Sequence, residues 1–413
     1  MKRNSFYGWV MMVITFICMG LVNYLGISSL SLFVAPVVEK LGVTSTAFLL
    51  CATTNSLGGV FGATLGGRLL DQKGLRFTGT GGAVLIAVGF LLLSMAKTMP
   101  LFYISYFITG FAASGTGTIF INKMAATWFR KYRGTVTGIC AAGQSTFTLL
   151  LATVIAGRIQ TAGYAGAYRM MAVIMAAAAV LLAVFVREKP EDMGQYPDGT
   201  RHENAENKPN IVLTGFTASE ALKTSAFWLI LIGFAFNTMA SLGVMQTYIA
   251  HFQSIGYTAI LAATAASVYG FFGIFSRIAW GRLADMFNHR GCWITSSIIF
   301  SGTIFYLSTL TQASGNMPLY IFGVAYAIGN GAGFILMAKF VSYNFGTKAF
   351  GTLNGYIMTA MMLGGMLGGP LAGMIYDRTG SYRVAYLLFT VLGVAAMLLA
   401  VIAKKPEKED IKE

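Results

Sequence analysis

Apolar residues in this chain fall into long unbroken runs rather than into the one-sided stripes of helices that pack on a water-soluble core. A helix that crosses the hydrocarbon core of a bilayer needs about 20 apolar residues. Runs of that length predict helices over 8–35, 46–70, 77–96, 101–127, 134–157, 166–186, 225–250, 258–281, 292–312, 317–345, 349–375 and 382–403. They number twelve, six on either side of a polar stretch from Arg187 to Lys223. That stretch holds Glu188, Glu191, Asp192, Asp198, Glu203, Glu206 and Glu220 with Pro190, Pro197 and Pro209, the composition of a solvated linker. The expected fold is all-α: a polytopic membrane protein whose twelve transmembrane helices form two six-helix bundles. The bundles are expected at 1–187 and 224–404, with a linker at 188–223 and a tail at 405–413. The first run is too long for the apolar core of a cleaved leader and is expected to remain as a span.

Composition narrows the function classes. Of 413 residues, 56% are hydrophobic and 11% charged, against about 25% charged in soluble domains. Too little polar surface remains to cover a soluble particle, which argues against a soluble enzyme. The net charge of +14 does not indicate nucleic acid as a partner, because Lys and Arg are scattered between apolar runs instead of clustered on a solvated face. Lipid head groups and the rules of insertion account for them. Twelve spans put both termini and the linker on one side. That side carries 20 Lys and Arg and the other six, so the linker side is expected to be cytoplasmic. Trp9, Trp128, Trp228, Trp280 and Trp293 all fall near the same span ends, where an interfacial position is expected. Cys18, Cys51, Cys140 and Cys292 show no ligand spacing, so no disulfide, metal or cofactor is expected.

The halves repeat at an offset near 215 residues, a pattern common in carriers. Gly67 to Arg76 (GRLLDQKGLR) follows the second span and Gly281 to Arg290 (GRLADMFNHR) the eighth, 214 residues apart. Gly157 to Tyr168 and Gly373 to Tyr386 match after the fifth and eleventh spans, and Asn23 and Asn237, again 214 apart, occupy matching places in the first and seventh. Six plus six spans with G-x-x-x-D-x-x-[GN]-x-R in both loops resemble the major facilitator superfamily over nearly the whole chain. The resemblance implies that Asp71 with Arg76, and Asp285 with Arg290, latch helices at the cytoplasmic face, with Gly67, Gly74 and Gly281 belonging to the same motif. Asn288, in place of the second glycine, can accept left-handed backbone. Closing a tight solvated turn would use the same residues.

Few ionisable residues fall inside the spans: Arg277, Lys123, Lys339, and His251 where the seventh span ends. All fifteen Asp and Glu lie in loops, tails or span ends. Burying a cation costs roughly 2.5–3.5 kcal/mol even on the lenient insertion scale. With no internal acid to pair with, an anionic substrate is the natural counter-ion. Arg277 is the leading candidate because its planar fork matches a carboxylate, and Gly273 and Tyr269 lie one and two turns along the same face. Lys123 and Lys339 are repeat equivalents near span ends, where snorkelling explains them equally well. Further candidates for substrate contact are Tyr24, Ser28 and Ser31 on the first span and Asn237, Ser241 and Tyr248 on the seventh. Asn122, Gln144, Tyr326, Asn330 and Asn354 complete the set.

Arg277-Ile278-Ala279-Trp280-Gly281 with Asp285 resembles the R-x-x-[WF]-G-x-x-x-D pattern of the monocarboxylate porters and oxalate–formate exchangers. Trp128-Phe129-Arg130-Lys131-Tyr132-Arg133-Gly134, with Gly138 and Gly143, is similar to their W-F-x-x-x-R-G-x-x-x-G. The resemblance implies a secondary transporter of small organic anions, above all lactate- or pyruvate-like monocarboxylates, working by alternating access as proton symport or anion exchange. Two departures matter. The animal branch has an Asp where Gly273 stands and a lysine in span one, and the oxalate branch has a lysine in span eleven, absent from Leu353 to Leu371. A single internal arginine favours one carboxylate. His251 is the candidate for proton coupling; as a helix-end histidine it could equally be exposed and idle, and exchange needs no proton site. An exporter of lipophilic compounds and a non-transporting substrate sensor are the alternatives. No carboxylates, histidines or metal ligands converge as an enzyme would need. The expected partners are the substrate anion, the bilayer, and a proton or counter-anion, with the protein a monomer.

Overall fold

The computed structural model describes residues 6–130, 132–199, 215–311, 315–346, 348–403 and 405–406. Its helices are α1 (Gly8–Ile27), α2 (Val34–Leu41), α3 (Ser45–Met95), α4 (Met99–Thr116), α5 (Thr118–Trp128), α6 (Arg133–Phe185), α7 (Ala218–Leu222), α8 (Ser225–Ser254), α9 (Ala259–Met286), α10 (His289–Thr309), α11 (Met317–Asn330), α12 (Gly333–Phe345), α13 (Phe350–Thr379) and α14 (Arg383–Ile402). Among the described residues there is no strand, only an isolated bridge between Gly215 and Gly346.

Among the described residues, ten helical stretches are long and apolar enough to cross a membrane. Two of the helices are double length. The 51 residues of α3 and the 53 of α6 would each run more than twice the thickness of a hydrocarbon core of about 30 Å at 1.5 Å per residue. Both break at a glycine, Gly74 (φ 84°, ψ −178°) and Gly163 (φ 66°, ψ 178°), a backbone state that essentially only glycine adopts. The chain thus has twelve transmembrane helices in two sets of six. The first is shorter than its apolar run: α1 ends at Ile27 and a 3-10 turn follows at Ser28–Leu32, where the Ser29 hydroxyl bonds back to the Leu25 carbonyl.

Contacts divide the chain into two compact units, Met1–Val43 with Leu50–Lys208, and Thr44–Leu49 with Pro209–Glu413. In the first, α1 lies against α6 with bare backbones touching: a Cβ added to Gly143 would sit 2.6 Å from the Phe16 carbonyl oxygen, and one on Gly20 2.8 Å from the Gly143 carbonyl carbon. In the second, α8 lies against α13 in the same way, a Cβ on Gly368 falling 2.7 Å from the Gly243 nitrogen. Without a hydrophobic force between helices in lipid, such close approach supplies the dispersion contacts that hold a bundle together. Asn55 of α3 adds a polar tie, its side-chain amide donating to the Gly26 carbonyl of α1 and the Tyr106 carbonyl of α4, each at 3.1 Å.

Three of the five tryptophans depart from the interfacial expectation. Trp128, Trp280 and Trp293 are buried within their own units, while Trp9 and Trp228 are exposed. The apolar body of the indole gains more from packing, and Trp280 finds an acceptor for its N–H in the Ile328 carbonyl at 2.7 Å.

The linker's described ends fold onto the units they adjoin. At the first unit, Gln195 accepts from the Tyr7 amide and Asp198 from the Arg130 amide. At the second, a capping box of Thr217 and Glu220 starts α7, and the Phe216 amide donates to the Phe345 carbonyl. Arg201, Glu203, Glu206, Lys208 and Pro209, and the tail beyond Pro406, lie outside the described residues.

Candidate functional site

The fourth and tenth spans are both interrupted. Gly117 (φ −76°, ψ −104°) separates α4 from α5, and Gly331 with Ala332 separates α11 from α12. These glycines are 214 residues apart, so the interruption is part of the repeat. A break inside a span leaves N–H and C=O groups without their helical partners, and matched breaks in two halves point to a binding site. The repeat pair Asn23 and Asn237 stands beside them. The Asn23 amide oxygen lies 3.1 Å from where a Gly117 Cβ would be, and the Asn237 amide nitrogen 3.6 Å from that of Gly333.

In the second unit the break gathers polar groups from three helices. Ser241 of α8 donates to the Asn330 side-chain oxygen at 2.7 Å, and the Asn330 amide donates to the Tyr269 hydroxyl of α9 at 3.4 Å. The Tyr326 hydroxyl donates to the Ser241 carbonyl at 2.8 Å. Tyr248 joins through Phe322, which stacks on Tyr326 with ring centroids 5.2 Å apart. Arg277 is half-buried on α9, two turns from Tyr269. Its neighbours Ser276 and Trp280 both donate to the Ile328 carbonyl, one turn before the break. Asn237, Ser241, Tyr269, Tyr326 and Asn330 thus gather at one interruption, with Tyr248 about two turns further along α8 than Ser241. In the first unit the grouping is looser: Gln144 donates to the Ser28 hydroxyl at 2.9 Å, the Tyr24 hydroxyl is buried without a hydrogen-bond partner, and Asn122 is exposed.

At the linker ends of the spans, cations close helices. Lys123 donates to the Leu70 carbonyl at 2.6 Å and pairs with Asp71 at 2.9 Å, and Lys339 donates to the Ala284 carbonyl. Arg76 donates to the Ala183 carbonyl and Arg290 to the Ala403 carbonyl, each at 2.6 Å. All four acceptors lie in or just past the last turn of a helix, where carbonyls lack partners and the dipole favours positive charge by about 0.3–1 kcal/mol. Asp71 and Arg76 therefore join their turn to two different helices, α5 and α6. The turn at Gly74 is closed by Glu188, whose carboxylate accepts from the Leu75 and Arg76 amides at 2.6 and 2.8 Å. A Cβ on Gly74 would run into that carboxylate, whereas at Gly67 and Gly281 it would meet nothing within 4 Å. Asn288 does not take the left-handed conformation: at φ −61°, ψ 126° it caps α10 and accepts from the Arg290 amide, because a side-chain acceptor there satisfies an otherwise orphaned donor. The side chain of Asp285 lies outside the described residues.

The sequence pattern of the Major Facilitator Superfamily matches residues 16–313 and 292–413. The chain belongs to the Major Facilitator Superfamily. It is 24% identical over 400 residues to the oxalate:formate antiporter of Oxalobacter formigenes, covering 95% of this chain and 90% of that one. With monocarboxylate transporter 2 of Mus musculus it shares 24% over 396 residues, covering 92% and 80%. The fold matches that of a D-xylose–proton symporter with a TM-score of 0.73 at 15% identity, over 98% of this chain and all of that one.

As a Major Facilitator Superfamily member the chain is a transporter, not an enzyme. His251 is buried, not exposed. Its Nε2 is 3.2 Å from the Leu307 carbonyl oxygen, its ring meets Tyr386 edge-on with centroids 5.0 Å apart, and Nδ1 has no partner. Sequence reasoning missed the two span breaks, Glu188 and Asn55. The first was available in the sequence: Gly117 and Gly331 share the repeat offset of Asn23 and Asn237.

Proposed function

We propose that this member of the superfamily carries small organic anions, above all monocarboxylates of the lactate or pyruvate type, across the cytoplasmic membrane by alternating access, coupled to protons or exchanged against a second anion. The observation that carries the reading is the half-buried Arg277 on the α9 face that leads to the Tyr269–Asn330–Ser241 cluster. A guanidinium there supplies charge and a two-pronged donor, and the hydroxyl and amide groups supply orientation. The names of two relatives, an oxalate:formate antiporter and a monocarboxylate transporter, support a carboxylate as cargo. Asn237, Tyr248 and Tyr326 are the further substrate-contact candidates of the second unit in this reading, and Tyr24 and Asn122 those of the first. Lys123 and Lys339 serve it from the ends of their spans, and His251 is the group available for proton coupling. In this reading the protein acts as a monomer, and the 20-to-six division of cations supports termini and linker in the cytoplasm. The bundles are taken as 1–187 and 224–404.

The test is uptake into proteoliposomes holding the purified protein, with labelled C2–C4 carboxylates offered with and without a pH gradient and with and without internal carboxylate. Saturable uptake of lactate or pyruvate is expected. Stimulation by an inward proton gradient identifies symport, and stimulation by internal anion identifies exchange. Uptake of lipophilic compounds with no uptake of any C2–C4 acid would remove the proposal.

A further inference from the structure

The hairpin in α6 carries a pair of cations that the transport reading leaves unused. Gly163 breaks α6 at the face opposite the linker, with Arg158 five residues before it and Arg169 six after. At 1.5 Å per residue both side chains leave the two arms about 8–9 Å below the turn, near the depth at which head groups meet acyl chains. They line one open groove of about 530 Å³ with Ala162, Gly166, Met170 and Val173. Among the described residues neither guanidinium has a hydrogen bond or an ion pair to the protein. Nothing in the helix can neutralise them, since α6 contains no Asp or Glu. The matching segment of the other half differs: there Asp377 stands beside Arg378.

The groove also has an apolar side that is turned outward. Val173 is 68% exposed and Val180, further along the same arm, 63%, and exposed valines on a spanning helix meet acyl chains. Gly166 is buried and keeps the floor of the groove open, because a Cβ there would press on Ala162. A free anion would engage the arginines but make no use of this wall. A phospholipid uses both, with its phosphodiester in the paired forks of the two guanidiniums and its chains along Met170 and Val173.

We propose that Arg158 and Arg169 form a head-group site for an anionic phospholipid on the face opposite the linker. The site rests on the membrane fold alone and not on the substrate; only its assignment to the outer leaflet rests on the orientation proposed above. Two cations near the membrane surface favour an anionic over a zwitterionic lipid by about tenfold or more.

Native mass spectrometry of the full-length protein, offered equimolar phosphatidylglycerol and phosphatidylcholine, reads this ratio directly. Wild type is expected to favour phosphatidylglycerol by about tenfold and R158Q/R169Q to show no preference. R158K/R169K, which keeps the charge, is expected to keep most of the preference, and inorganic phosphate at millimolar concentration to leave it unchanged. If the glutamine pair does not remain monodisperse, the single variants R158Q and R169Q are expected each to lose part of the ratio. A preference that survives in the glutamine variants overturns the site. Displacement of the lipid by inorganic phosphate also overturns it, by showing a small-anion site instead. Neither result depends on what the protein transports, so failure here and failure of the uptake experiment are separate.

Discussion

Arg277→Lys should leave the protein folded in the membrane and abolish carboxylate uptake. The substitution keeps one positive charge but replaces a rigid planar fork with a flexible point charge that cannot hold both carboxylate oxygens. Arg277→Gln goes further, and losing one member of a desolvated charge pair costs about 2–5 kcal/mol, roughly 30- to several-thousand-fold in affinity. In both variants Ser276 and Trp280 still fasten this part of α9 to the Ile328 carbonyl. Uptake per reconstituted protein decides the matter, with a size-exclusion profile as the folding control. Uptake by Arg277→Lys close to the wild-type rate would mean that the arginine serves the fold or snorkels to the interface, and the carboxylate site would have to be sought elsewhere.

Gly143→Leu is expected to act on the other side of that distinction, destabilising the first unit without removing any polar group. At Gly143 an added carbon meets the Phe16 carbonyl oxygen and the Gly20 backbone, and backbone cannot swing aside as a side chain can. Overpacking against yielding neighbours costs about 1–3 kcal/mol. Against the backbone of α1 about 3 kcal/mol or more is expected, seen as a lowered thermal midpoint and a loss of monodisperse protein. Gly138 provides the contrast. It lies in the same helix and the same motif, yet a Cβ there would meet nothing within 4 Å. Gly138→Ala should leave the midpoint unchanged or raise it, with helix propensity adding up to about 1 kcal/mol of stability. Equal behaviour of the two positions would show that α1 and α6 are not in contact at Gly143.

These two glycines show what can and cannot be seen in a sequence of this kind. The number of spans was legible, because the need to satisfy every backbone polar group in lipid forces long apolar helices. So were the hairpin turns at Gly74 and Gly163, each in a polar or small-residue gap between runs. Which glycines are crowded was not legible, since crowding depends on a partner far along the chain. The same limit applies to the polar residues. Five candidates from α8, α9 and α11 converge on the break at Gly331, but their types alone could not show that they share one locus. The break itself escaped notice because Gly331 and Ala332 are as apolar as the run around them, and a hydropathy pattern does not register a change of direction. Lys123 and Lys339 were legible as span-end cations, while the carbonyls they cap belong to other helices and leave no mark in local sequence. Tryptophan position failed for a different reason. An indole near a span end can face lipid or the bundle, and composition does not separate the two faces.

The closed helix ends have a consequence for how such a protein could be made. Lys123 and Arg76 cap carbonyls of their own unit, as Lys339 and Arg290 do in the other, and the described ends of the linker bond each to the unit beside them. Severing the chain after residue 199 would leave every one of these bonds within a single fragment. Each half thus carries the cations that close its own linker-side helix ends.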